Sequence, residues 1–149
     1  IVILGILSAV AYERWPVGME EAAAVKELKR AVRYAQHKAM TRQFTDKTVA
    51  WGLTVNANSS YTVERIGGGE QAAEPEYVTR CLNSENPPSP SCTITLLGAS
   101  VYFNGLGEPL NAAGAPLTNA SPRIFTISVA SKLTICPETG YLMEGTTCP

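Results

Sequence analysis

The chain has 149 residues, with 12 Lys and Arg against 13 Asp and Glu, one His and four Cys. That length suits one domain on one core, and a net charge of −1 excludes the basic footprint of a protein that coats nucleic acid. The hydrophobic share of 45% excludes a disordered chain, but the mean hydropathy of +0.01 averages two unlike parts.

Residues 1–11 are apolar apart from Gly5 and Ser8, and charge begins only at Glu13. As a helix this stretch runs roughly 16 Å, about half of a bilayer's hydrocarbon thickness, so it does not span one alone. Three readings fit it. A signal-peptide core would need a basic segment before it and a small-residue cleavage pattern after it. A buried helix or strand of a soluble core is the plainer alternative. The preferred reading is the distal half of a membrane-inserted helix whose first residues precede Ile1, with the expectation that a chain starting at Ile is processed or shortened.

Pro16 follows Trp15 inside what otherwise reads as one helix, removing a backbone donor and inviting a kink. From Val17 the pattern is amphipathic. Val25, Leu28, Val32, Ala35 and Ala39 recur at steps of three and four, which lines one helix face. Lys26, Lys29, Arg30, Arg33, Lys38 and Arg42 lie off that stripe, and Glu20, Glu21 and Glu27 come early, as the helix dipole favours. The expectation is one helix to about Gln43, divided into an apolar projecting half, residues 1–16, and an amphipathic half, residues 17–43, whose alanine-rich face can approach a flat sheet closely.

Beyond Asp46 the period changes to two. Val49, Trp51, Leu53 and Val55 alternate with smaller or polar residues, residues 56–60 are a turn cluster, and residues 61–66 complete a hairpin. Residues 76–81 read as a strand, residues 86–90 as a Pro-rich loop, and residues 93–97, 100–104, 124–129, 132–136 and, weakly, 141–143 as further strands. Residues 105–122, with three Gly and three Pro, read as a long surface loop. The predicted class is α+β: a long N-terminal helix packed on an antiparallel sheet of about six or seven strands. The globular head is residues 17–149, with its β-rich region at 48–149. Charge follows the same division, since residues 1–47 carry eight basic and five acidic side chains, +3, and residues 48–149 four basic and eight acidic, −4.

The cysteines fall as Cys81 with Cys92 and Cys136 with Cys148, enclosing ten and eleven residues. No pair has C-x-x-C spacing and His37 lies on the charged helix, so disulfides are favoured over zinc. Of three possible connectivities the two local ones are preferred, because each closes a Pro- or Gly-containing loop beside a strand. Each would contribute roughly 2 to 3 kcal/mol by chain entropy, and disulfides imply an exported, oxidising location.

Chemistry-bearing motifs are sparse. No G-x-S-x-G supports His37, residues 67–69 (Gly-Gly-Gly) lack the Lys-Ser/Thr of a phosphate loop, and residues 105–107 lack the third glycine and helix of a dinucleotide site. Glu108, Glu138 and Glu144 fall in turns. Residues 58–60 and 119–121 match the glycosylation sequon. The expectation is a protein that is not an enzyme and that needs no cofactor or metal.

With helix, head and export together, the chain resembles a type IV pilin or pseudopilin. Residues 1–11, Ile-Val-Ile-Leu-Gly-Ile-Leu-Ser-Ala-Val-Ala, are similar to the second half of that family's N-terminal helix; the family's methylated aromatic residue and glutamate would lie before Ile1. A second resemblance, to H-type minor pseudopilins and to the C-type minor pilin of mannose-sensitive haemagglutinin pili, rests on residues 31–40, 101–109 and 138–141. Pro16 lies a few residues beyond the family's usual helix-breaking proline. The resemblance implies a subunit held in the inner membrane before assembly, then packed helix to helix with sister subunits by assembly machinery. The product would be a periplasmic pseudopilus or an extracellular pilus. Gly5, Ser8 and Pro16 would then form a helix stretch able to lengthen during assembly. Adhesion, motility, DNA uptake and secretion are all served by this plan. The alternative expectation is an exported binding module or tip adhesin that contacts a surface or DNA through loops 82–91 and 105–122, without a specific nucleic-acid site.

Overall fold

The computed structural model describes residues 19–42, 50–65, 77–83, 91–128 and 130–149. Helix α1 (Met19–Arg42) opens with Glu20 and Glu21 in its first turn, where carboxylates complement the dipole. Among the described residues eight strands follow: β1 (Trp51–Val55), β2 (Tyr61–Arg65), β3 (Leu96–Leu97), β4 (Val101–Phe103), β5 (Pro109–Leu110), β6 (Arg123–Ile127), β7 (Ser131–Ile135) and β8 (Leu142–Glu144). They form two antiparallel sheets, one ordered β2-β1-β4-β5 and the other β3-β6-β7-β8. The class is α+β as expected, but the single sheet of six or seven strands is corrected to two sheets of four. After β3 the chain bends at Gly98, whose φ is +148°, and passes within a few residues from the second sheet into the first. An alternation pattern alone does not reveal that change of partner.

Five of the helix positions picked out by periodicity are the buried ones. Leu28, Val32, Ala35 and Ala39 have no exposed surface and Val25 almost none, with Ala24 and Ala31 widening the stripe. Opposite them lie Trp51 and Leu53 of β1, Tyr61 and Val63 of β2, and Val101 and Phe103 of β4. Phe125, Ile127, Leu133 and Ile135 continue the same core under the second sheet. The register explains the pattern. Leu53 faces Val63 on one side and Val101 on the other, and Trp51 faces Phe103, so alternate residues of three neighbouring strands point at the helix.

The expected hairpin is present as β1 and β2, while the ends assigned to Val49 and Ile66 lie outside the described residues, as do residues 1–18 with Gly5, Ser8 and Pro16. The expected strand at 76–81 is corrected: the described residues 77–83 make one backbone bridge to β2, Tyr61 with Arg80, and the Thr79 amide donates to Thr62 Oγ1. Tyr77 instead stacks its ring on Tyr34 of α1 at 4.2 Å between centroids, and Thr79 takes a φ of +45°, which ends any extended run. The expected loop 105–122 is corrected too. It contains β5 and two bridges, Leu110 with Pro116 and Thr118 with Ser121. Asn104 Oδ1 accepts from the amides of Leu106 and Glu108, and Asn111 Oδ1 from those of Ala113 and Ala115, so two Asx turns fold the glycines and prolines into tight reversals.

Gly52 sits where β1 and β4 approach, paired with Tyr102. A Cβ there would overlap the Val101 carbonyl and Tyr102 Cδ1. Gly52→Ala is therefore expected to lower stability by about 1–3 kcal/mol through overpacking. Urea unfolding followed by Trp fluorescence would report this as a lower midpoint at unchanged slope.

Candidate functional site

Three groups of side chains give the head its polar architecture. The first centres on Glu27, which lies at the edge of the helix's buried stripe and is nearly buried itself. Its Oε1 accepts from Tyr61 Oη at 2.6 Å and from Arg80 Nε at 2.8 Å, and its Oε2 accepts from the Asn83 amide at 2.7 Å. One carboxylate thus holds β2 and residues 77–83 to the helix, and Asn83 Nδ2 adds a bond to the Glu20 carbonyl at 2.5 Å. On the opposite flank, Glu21 accepts from the Ser131 amide, and Lys29 pairs with Glu144 at 2.7 Å. The helix is tied to the first sheet on one side and to the second on the other.

The second group is the cystines. Cys81 is bonded to Cys92 and Cys136 to Cys148, and no described cysteine is free. These are the two local pairs favoured by spacing. The first closes the loop that follows Arg80, and the Cys92 amide donates to the Asn58 carbonyl, joining that loop to the β1–β2 turn. The second pins the C-terminal segment to the end of β7.

The third group is a corner at the C-terminal end of α1. Gln36 Nε2 donates to the Gly107 carbonyl at 2.9 Å. Gly107 and Gly140 have φ of +82° and +68°. A Cβ on Gly107 would press on Met40 Sδ, and one on Gly140 would collide with Gln36 Nε2 and the Gly107 carbonyl. Two turns, one from each sheet, therefore close on the helix end at positions that require glycine. Residues 31–40, 101–109 and 138–141, which lie apart in the chain, meet here.

Burial is the first cause that pushes the Tyr61 hydroxyl far above the usual tyrosine range, followed by its hydrogen bond to Glu27 and the nearby negative charge; Arg80 and Arg30 offset part of this. Tyr61 is fixed as a donor. Lys29 holds the Glu144 carboxyl below the usual range, by hydrogen bond and charge, at a fully exposed site. Among the described residues no group of three or more His, Cys, Asp or Glu could hold a metal, and His37 is exposed on the helix. Beside the β1–β2 turn lies an open groove of about 480 Å3 lined by Asn56, Asn58, Ser60, Thr62, Glu64 and Thr79. Of the two loops expected to make surface contacts, residues 105–122 are folded as above, and residues 84–90 of the other lie outside the described residues. Sequence reasoning missed Glu27 and the Gln36 corner. The signal for Glu27 was an acid on the margin of an apolar stripe, well past the first turn.

Among the described residues no helix is long and apolar enough to cross a membrane. No family model, no curated protein and no solved structure matches the chain.

Glu27→Ala is expected to cost about 3 kcal/mol, because it strands Arg80 and Tyr61 without their acceptor; denaturant melts against Lys29→Ala, whose solvent-exposed pair contributes little, would separate the two. Tyr61 also sets an alkaline limit. Its hydroxyl ionises above the unfolded value of 10.0, so its stabilising effect is complete below about pH 10 and falls as pH rises past that point. One of the six tyrosines should gain tyrosinate absorbance only on unfolding, and Tyr61→Phe should flatten the decline in stability above pH 10.

Proposed function

We propose that this protein is a structural subunit of a type IV pilus or a type II secretion pseudopilus, held in the inner membrane before assembly and packed helix to helix in the filament. One observation carries this reading. The helix Met19–Arg42 is buried along a single alanine-rich stripe against two antiparallel sheets, and the sequence ahead of it, residues 1–11, is apolar apart from Gly5 and Ser8. In the proposed subunit that stretch is a helix continuing the described one, and a helix apolar on all sides needs lipid or sister helices to cover it. The convergence of residues 31–40, 101–109 and 138–141 at one corner supports the H-type and C-type minor-pilin likeness, since all three stretches that carry it serve a single packing site. The two cystines suit an exported head that no cytoplasmic reductant reaches.

Immunogold labelling with antibodies to the folded head is expected to decorate filaments sheared from the cells that make the protein. Label along the whole length identifies a shaft subunit, label at tips a minor one, and polymer confined to the envelope a secretion pseudopilus. Protein recovered in no polymer, sheared or envelope-bound, overturns the reading.

A further inference from the structure

Large apolar side chains exposed among the described residues are Met19, Met40, Leu97, Leu106 and Tyr141. Three belong to the corner at the end of α1. Leu106, 79% exposed, and Tyr141, 59% exposed, each adjoin one of the two glycines that meet there, and Met40 lies against Gly107. Exposed Glu138 and half-buried Glu108 stand in the same two turns. Asn104 Nδ2 donates to Glu108 Oε2, which fixes that carboxylate in place. The corner is an apolar knob with an acidic rim.

The face of α1 turned away from the sheets has the opposite character. Lys26, Arg30, Arg33 and His37 follow at steps of four, three and four, and all are exposed, so they form one stripe. Among the described residues Lys26, Arg30 and Arg33 make no salt bridge, whereas Lys29 and Arg80, off this face, do. Above the stripe lies exposed Met19, and beside it exposed Ala22 and Ala23, whose methyl groups leave room for bulky side chains.

We infer that the Met40–Leu106–Tyr141 corner of one copy docks on the Ala22–Arg33 face of α1 in a second copy, with Glu138 against Arg30 and its neighbours. Charge complementarity selects the second copy as occupant: the acidic rim and the basic stripe, which makes no salt bridge among the described residues, are on the same chain at different places. Such a contact is heterologous, each copy offering one patch and receiving on the other. Arg30 and Met40 are ten residues apart on the helix, about 15 Å along its axis, so each added copy is displaced lengthwise and the assembly stays open. This rests on the filament reading above and supplies its head-to-stem contact.

The test uses the whole protein in the cells that make it. Arg30→Cys combined with Glu138→Cys is expected to give, on oxidation, a reducible ladder of dimers, trimers and larger species, and neither single substitution to go beyond dimer. Arg30→Glu alone and Glu138→Lys alone should each lower polymer recovery tenfold or more, and their combination should restore at least half of it. Filaments in which the cysteine pair gives no ladder, or in which single reversals change nothing, overturn the docking surface and leave the filament reading intact. A ladder from a protein found in no filament does the opposite, and the absence of both removes both.

Discussion

The fold depends on how closely α1 can lie against its sheets. Each sheet has four strands, several of them two or three residues long, and such a sheet has too little apolar surface to be stable alone. Both are completed by the same helix. Ala24, Ala31, Ala35 and Ala39 present methyl groups where longer side chains would hold the backbone off. Leu28 and Val32 are buried in the same core as Trp51, Leu53 and Phe103. Close packing of this kind is what lets one cylinder serve as the inner wall of two sheets.

Polar ties then fix the helix against rotation and sliding, and they are unequal in strength. Glu27 works in a nearly dry setting with three donors, so losing it exposes the full cost of unpaired buried groups. Lys29 with Glu144 works in water, where the same geometry contributes little. The Cys81–Cys92 bond adds to the stronger tie, because it closes the segment that delivers Arg80 and Asn83 to Glu27. By chain entropy each cystine contributes roughly 2 to 3 kcal/mol.

Period and composition made the helix face and the β1–β2 hairpin legible, since Val25 through Ala39 and Trp51 through Val55 each bury what their periodicity says they should. Cysteine spacing made the bonded pairs legible for a similar reason: short loops beside strands have few other partners. What stayed hidden was decided by distant contacts. Nothing near residues 76–81 tells that Tyr77 will stack on Tyr34, or that Arg80 will turn to Glu27, 53 positions away. The loop at 105–122 looked shapeless because its order comes from Asn104 and Asn111, whose side chains do the work of backbone partners. The corner at Gln36 needs glycines from two sheets, and a count of glycines does not say which ones meet.

The crossing at Gly98 has a consequence for how the head is made. The chain supplies β1 and β2 to the first sheet, β3 to the second, β4 and β5 to the first again, and β6 to β8 to the second. No single cut leaves one sheet whole on each side, so neither can mature as an independent unit. β3 must wait for β6, and β1 for β4, across long stretches of chain, a topology of high contact order that favours slow, all-or-none folding. A chain still lacking its last strands would leave the apolar stripe of the helix partly uncovered, since Phe125, Ile127, Leu133 and Ile135 belong to the same core.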